Sequence, residues 1–287
     1  MSNLESISLT CSLLSVILTI IFAIIDFTYT RRNPTATTKV KSSSKYKAKK
    51  PWSSMNMVVR SMSVLSLVLI TLTILFRSIQ TGHGPFSNMY EFALAFAWGI
   101  TSAGLIFEWR YRTTVVKNMS FFVALLLIVF AIVQHTKPQP LVPALQQSLL
   151  LSVHVASAVF AYGVLTIGFG AAVLFIIQNR FDSPLLPNKE TLDTMSYQSV
   201  IIGFPFLTLT IVLGALWADI AWGRYWGWDP KETASLVTWL VYAAYIHTRL
   251  MHGWRGIKTA ILLVIGFGAI LLTFFGNYIF TGLHSYM

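Results

Sequence analysis

The chain has one cysteine in 287 residues, Cys11, and it sits inside a long apolar run. Neither CxxC nor CxxCH occurs, which excludes self-contained thiol redox chemistry and any porphyrin joined covalently to this chain. A lone thiol among apolar neighbours reads as packing filler. Charge is also scarce, at 11% of residues, where a soluble domain carries about a quarter. Acid is scarcer still, with 10 carboxylates against 21 Lys and Arg. There is no internal repeat and no sign of a second domain.

What the chain has instead is 55% hydrophobic residues arranged in long runs. A helix needs about 20 mostly apolar residues to cross a hydrocarbon core. Eight stretches approach or meet that length, at 8–29, 58–78, 88–107, 117–135, 151–178, 198–217, 233–250 and 259–280. The expected fold is an all-α polytopic membrane protein of about eight transmembrane helices, with residues 1–287 as one integral membrane domain. Lys and Arg are retained in loops on the cytoplasm-equivalent, or cis, side. The loops after the first, third, fifth and seventh runs hold 17 of the 21 basic residues. The other, trans side keeps Arg77, Lys137, Arg224 and Lys231. Both termini are therefore expected on the trans, lumenal or periplasmic side. The net charge of +11 is a topology signal, with no nucleic acid implied as a partner.

The first run is preceded by Glu5 and followed by Arg31 and Arg32. That is the reverse of a secretory signal's charge order, so the run is expected to be a retained helix. Residues 31–57, with Lys39, Lys41, Lys45, Lys47, Lys49 and Lys50 among Ser and Thr, are too polar to pack. They are expected to form a mobile basic cis-side loop able to touch anionic membrane lipid.

The densest feature is Trp217–Glu232, WADIAWGRYWGWDPKE, a trans-side link between the sixth and seventh runs that holds four tryptophans and Tyr225. An aromatic belt is the ordinary use of Trp at a membrane surface. Four indoles interspersed with glycine exceed what a belt needs and imply a flat aromatic platform for a ligand.

An imidazole in or beside a spanning helix is costly enough to count as a functional candidate. His154 falls near the start of the fifth run and His284 just after the eighth, both on the trans side with the link. Taken singly, each reads more readily as a hydrogen-bonded packing residue. As a pair beside the platform they suit the two axial positions of a porphyrin iron, for which imidazole is a common ligand. The cofactor or substrate implied is haem b. His247 follows Asp229 by 18 residues, roughly 27 Å along a helix, so it cannot reach the same iron. It is either a snorkelling residue or the ligand of a second haem deeper in the membrane, with the opposite imidazole on a partner. His252 lies in a basic cis loop and reads as solvated. His135 is set aside with it, and His83 stands in the trans loop TGHGPFSNMYEF.

The carboxylates of the link have a structural explanation first. Asp229, Pro230 and Glu232 fit an N-cap, a first-turn proline and the third position of a capping box. Asp229 is also able to accept indole or backbone N–H groups. Arg224 and Lys231 are either flanking charges or partners of haem propionates, Arg224 through a bidentate contact.

WGRYWGWDPKE resembles the tryptophan-rich WWD signature of haem-handling proteins, with Trp222, Trp226, Trp228, Asp229 and Glu232 on its WGxxWxWDxxE pattern. Together with SVHVASAVFAYG, GHGPFSNMYEF and the terminal GLHSY, the chain from about His83 onward is similar to the CcsA family. That family supplies the haem-binding subunit of the system II cytochrome c synthase. The resemblance implies a chain that works with the membrane subunit CcsB, also called Ccs1, and is inactive alone. It implies residence in the thylakoid membrane of a chloroplast or cyanobacterium, or in a bacterial plasma membrane. It implies delivery of haem to the trans side and covalent attachment to apocytochromes c bearing CxxCH. His154 and His284 match the family's two external haem-iron ligands. His247 matches a ligand within the membrane whose opposite number comes from CcsB.

The chemistry so implied is thioether formation between haem vinyl groups and two thiols, with the iron kept reduced. The chain then acts as a template that positions reactants, with Trp222, Trp226 and Trp228 along the vinyl edge. The main rival is a haem exporter of the CcmC kind, which passes haem to a chaperone without attaching it. A diheme electron-transfer subunit would place paired histidines on facing helices inside the bilayer, unlike the surface positions of His154 and His284. A purely structural subunit leaves the Trp cluster unexplained.

Overall fold

In a computed structural model the apolar runs form eight α-helices, and the structure describes residues 2–32, 54–134, 137, 148–280 and 282. The helices are α1 (Ser2–Arg32), α2 (Ser54–Thr81), α3 (Met89–Tyr111), α4 (Thr114–Val133), α5 (Ser148–Phe181), α6 (Lys189–Trp222), α7 (Pro230–Met251) and α8 (Ile257–Ile279). Seven of them are long and apolar enough to cross a membrane, and the chain is a polytopic membrane protein. The exception is α7, which is long enough but too polar. His135, His284 and residues 33–53 of the basic stretch lie outside the described residues.

The helices overrun their apolar runs. The sixth run, 198–217, becomes a helix of 34 residues, Lys189–Trp222. At 1.5 Å per residue that is about 51 Å, well beyond a hydrocarbon core of about 30 Å. The hydrophobic run marks only the segment that lipid would surround. The polar turns beyond it remain helical because Asn188 accepts from Thr191 N at one end and Gly223 closes the other.

The centre of the bundle is α5, packed against α3, α6 and α8, with α6 its most extensive partner. Without a hydrophobic driving force in lipid, helices associate by close packing at small residues. Gly99 of α3 and Gly163 of α5 meet in this way: a Cβ on Gly163 would stand 2.7 Å from the Gly99 backbone. Pair α1 and α2 use hydroxyls instead, with Ser8 Oγ 3.0 Å from Thr73 Oγ1 and Thr19 Oγ1 3.3 Å from Ser66 Oγ.

Two buried ion clusters lock opposite ends of α2 and α3. At one end Arg77 Nε donates to Glu91 Oε1 at 2.9 Å, and Arg77 Nη1 lies 3.6 Å from Glu5 Oε1. Tyr90 and Gln80 also donate to Glu5, at 2.8 and 2.9 Å, so α1, α2 and α3 are tied together. At the other end Lys117 Nζ pairs with Glu108 Oε1 at 3.0 Å and donates to Ser63 Oγ at 2.9 Å. Removing one partner of a buried pair strands the other charge, at about 3–5 kcal/mol. Arg77→Ala is therefore expected to lower the thermal midpoint of the detergent-solubilised protein sharply, and Lys189→Ala, in an exposed pair with Asp182, to leave it unchanged. Equal midpoints for the two variants would show that the Arg77 cluster holds nothing together.

Candidate functional site

The end of the bundle that carries the Trp-rich link collects the starts of α3, α5 and α7 and the ends of α6 and α8. The link is shaped by its two flanking caps. α6 stops at Gly223, whose φ of 73° allows its N–H to donate back to Asp219 O at 2.8 Å. α7 starts with the capping box expected from DPKE: Asp229 accepts from Lys231 N at 3.1 Å, and Glu232 Oε2 accepts from Asp229 N at 3.1 Å. Glu232 Oε2 also accepts from Gly227 N at 2.8 Å, which extends the cap into the link.

Those bonds bracket Trp228, held at φ 56°. A bulky residue in this left-handed region is strained by about 1–3 kcal/mol, a burden found where the surroundings dictate the conformation. Its indole is 69% exposed and stands edge-on to Trp226, centroids 5.8 Å apart. Trp217 and Trp222 form a second edge-to-face pair at 4.8 Å. The four indoles thus make two perpendicular pairs in place of one flat platform, as the opposed charge of ring faces and edges favours.

Trp226 and the buried Trp217 wall a cavity whose empty volume, open mouth included, is about 1030 Å³. Phe92 and Phe96 of α3 form a facing wall, Tyr162 of α5 and Thr273 of α8 lie deeper, and Tyr225 stands at the mouth. The lining is mostly apolar, with a few polar groups from α5, α6 and α7.

His154 is the most informative of these. Its Nδ1 lies 2.9 Å from the Thr210 carbonyl of α6. A carbonyl only accepts, so Nδ1 carries the proton in this bond and Nε2 is the acceptor nitrogen of the neutral ring. Ser157 braces the junction, donating to His154 O at 2.7 Å and lying 3.0 Å from Thr210 Oγ1. The ring fits because position 214 is glycine: a Cβ there would stand 2.8 Å from His154 Cε1.

Lys231 also lines the cavity, with Nζ 5.4 Å from the centre of the Phe92 ring. Desolvation by its surroundings pulls the ammonium down to about 8, against the opposing pull of Asp229. Arg224 is exposed, folded over Gly227, and does not line the cavity. Asp229 is buried as a cap, and Gly282 packs against its carboxylate and against the Pro230 ring. The chain therefore returns to the link two residues before His284, which itself lies outside the described residues. His247 is exposed near the far end of α7, its ring 5.4 Å from that of His252, remote from the cavity.

Of the residues singled out in the sequence, the fold brings His154, Trp217, Tyr225, Trp226, Lys231 and Glu232 into one cavity. Trp222 stands behind Trp217, Trp228 on the rim. Sequence reasoning passed over the α3 wall and Gly214. Phe92 and Phe96 stand one helical turn apart beside the GHGPFSNMYEF loop, a signal that was readable; nothing in the sequence ties Gly214 to His154. Glu232→Ala is expected to cost about 1 kcal/mol of stability as a lost cap and to open the link to limited proteolysis between Trp222 and Pro230. Proteolysis unchanged from the parent protein would mean that Glu232 does not hold the link.

Residues 86–284 match the family model described as cytochrome C assembly protein. The chain is 38% identical over 260 residues to the cytochrome c biogenesis protein CcsA of Prochlorococcus marinus (strain MIT 9301), covering 79% of this chain and 84% of that protein. It is 40% identical over 241 residues to CcsA of Chlamydomonas reinhardtii, covering 80% and 68%. Its fold is similar to that of the cytochrome c heme lyase CcmF, with a TM-score of 0.68 at 17% identity over 95% of this chain. It spans 46% of that longer chain. By its sequence, the chain belongs to the CcsA family of cytochrome c assembly proteins.

Proposed function

We propose that the cavity holds haem b as substrate and presents it for covalent attachment to apocytochromes c bearing CxxCH, with CcsB as the partner subunit. The observation that carries this reading is His154: an imidazole oriented by the Thr210 carbonyl, inside an aromatic cavity at the membrane edge. Metal-bound histidines characteristically donate their second ring nitrogen to a carbonyl or carboxylate in this way, which fixes ring and tautomer. The return of the chain at Gly282 supports His284 as the ligand from the other face. Lys231 supports a propionate partner better than Arg224 does, since a desolvated ammonium favours an incoming anion.

Attachment adds each thiol S–H across a vinyl double bond: sulfur bonds one carbon, hydrogen the other, and no net electron is exchanged. The chain's part is to hold the porphyrin with its vinyl edge at the Trp226 and Trp228 rim and to exclude water from the rest of the macrocycle. That is catalysis by placement. Lys and Arg positions favour a trans-facing mouth, and the cyanobacterial and algal relatives favour a thylakoid membrane. His247, exposed on the outer face of α7, suits a second haem shared with a partner helix.

His154→Ala is expected to abolish most of the haem that co-purifies, and His284→Ala likewise; unchanged haem in both variants would refute the ligand assignment. Gly214→Ala should push the ring off the Thr210 carbonyl and weaken haem binding about tenfold, the scale of lost ligand orientation. Lys231 gives a pH test. Its lowered value of about 8 means that the unfolded chain binds more protons between that pH and the ordinary lysine value, so ligand-free stability rises with pH across the window. A propionate partner reverses the preference for charge, so haem affinity should fall as pH rises above about 8. Titration of haem against pH should lose that fall in Lys231→Gln; a fall that persists in the variant assigns the effect elsewhere.

A further inference from the structure

Helix α7 has its polar face turned inward. Val237, Leu240, Leu250 and Met251 are exposed, whereas Thr238, Tyr242 and Tyr245 are buried, and Arg249 continues the same helical stripe. The polar residues of this stripe are among those that leave α7 short of a membrane span in apolarity. Polar side chains that face the interior of a membrane bundle commonly mark a path for water, ions or substrate.

The stripe begins at the cavity. Thr238 Oγ1 lies 3.0 Å from Thr273 Oγ1, and Thr273 and Tyr162 form the deep part of the cavity wall. One turn further stands Tyr242, 1% exposed, whose hydroxyl has no hydrogen-bond partner among the described residues. Its ring is pressed on Gly266, where a Cβ would come within 2.9 Å of Cζ. Tyr245 follows, beside Arg249 and Tyr197. Arg249 then forks onto Asp193 at 2.8 and 2.6 Å at the end opposite the link.

Helix packing explains part of this. Thr238 and Thr273 donate to their own helices, at Ala234 O and Ala269 O, and their contact joins α7 to α8. Packing does not explain Tyr242. A phenylalanine would fill the same space without burying a hydroxyl that needs a partner, and such groups are almost always bonded to protein or water. Along α7 the backbone rises about 6 Å from Thr238 to Tyr242 and about 4.5 Å from Tyr242 to Tyr245, so the three residues follow one another on a single face of the helix.

We propose that the inward face of α7 carries a single file of water from the end opposite the link to the base of the cavity, with the Tyr242 hydroxyl as its central station. Buried water requires two to four polar partners. The Thr238–Thr273 pair above and Tyr245 below supply them with Tyr242. The cavity then has two openings of different width: an aromatic mouth for a large ligand and a base that passes nothing larger than water or a bare monovalent ion. Water from below solvates charge that a bound ligand gains or loses without crossing the mouth. The path needs only the cavity, so it stands whatever the cavity binds.

The test is thiol accessibility in sealed membrane vesicles. In a Cys11→Ser background, Thr238→Cys or Thr273→Cys is exposed to silver ions added to the face opposite the link. Unreacted thiol is then counted with a maleimide after denaturation. Reaction requires a solvated thiolate, so both positions should be modified at least about tenfold faster than lipid-facing Leu240→Cys, and adding Tyr242→Phe should slow them without affecting Leu240→Cys. Either cysteine variant suffices if the other fails to fold. Rates no faster than at Leu240, modification only from the link face, or indifference to Tyr242→Phe would each overturn the path. No haem is needed for the measurement, so failure of the haem reading leaves its outcome unaffected.

Discussion

The hydrogen bond from His154 Nδ1 to the Thr210 carbonyl joins the packing of two helices to the chemistry of one nitrogen. A backbone carbonyl in an α-helix is normally committed to its own ladder, and a side chain can reach it only where the neighbouring residues are small. Gly214 provides that space, since any Cβ would meet the imidazole. The α5–α6 contact therefore sets the direction of the ring. Everything else in the cavity is arranged around that fixed vector: Trp217 and Trp226 on one side, Phe92 and Phe96 opposite, Lys231 near the mouth.

Rigidity in the link comes from one carboxylate. Glu232 accepts from both Gly227 and Asp229, so the turn that forces Trp228 into a left-handed conformation is also the turn that starts α7. The bonds that cap α7 and the bonds that fix the rim are the same here. The acids of the DPKE segment first read as helix caps, and the structure bears that out; the cap is what stations the rim indoles. Buried charge elsewhere follows the same economy, with the Glu5, Arg77 and Glu91 cluster pinning three helices close to the α3 wall of the cavity.

Helix α7 shows how a bundle inverts expectation. Its run at 233–250 reads as a span by length, yet the helix is the one of the eight too polar to qualify as a span, and part of that polarity is a stripe that faces inward. Hydropathy averages over the whole circumference and cannot tell an inward polar stripe from an outward one. The direction is settled by what α7 packs against, α8 above all.

The sequence by itself determined the class of fold, the eight helices and the capping box of α7, because these depend on apolar length and on local bonding between near neighbours. It also marked His154 and the tryptophans, since imidazole and clustered indole are rare enough in such a chain to need a cause. It did not determine that the indoles stand in perpendicular pairs, that Lys231 and not Arg224 lines the cavity, or that α3 supplies a wall. Nor did it show that Thr210 and Gly214 orient His154. The indole pairs are set by the turn of the link itself; the other facts rest on contacts between residues more than fifty positions apart, which only the packing of the helices against one another fixes.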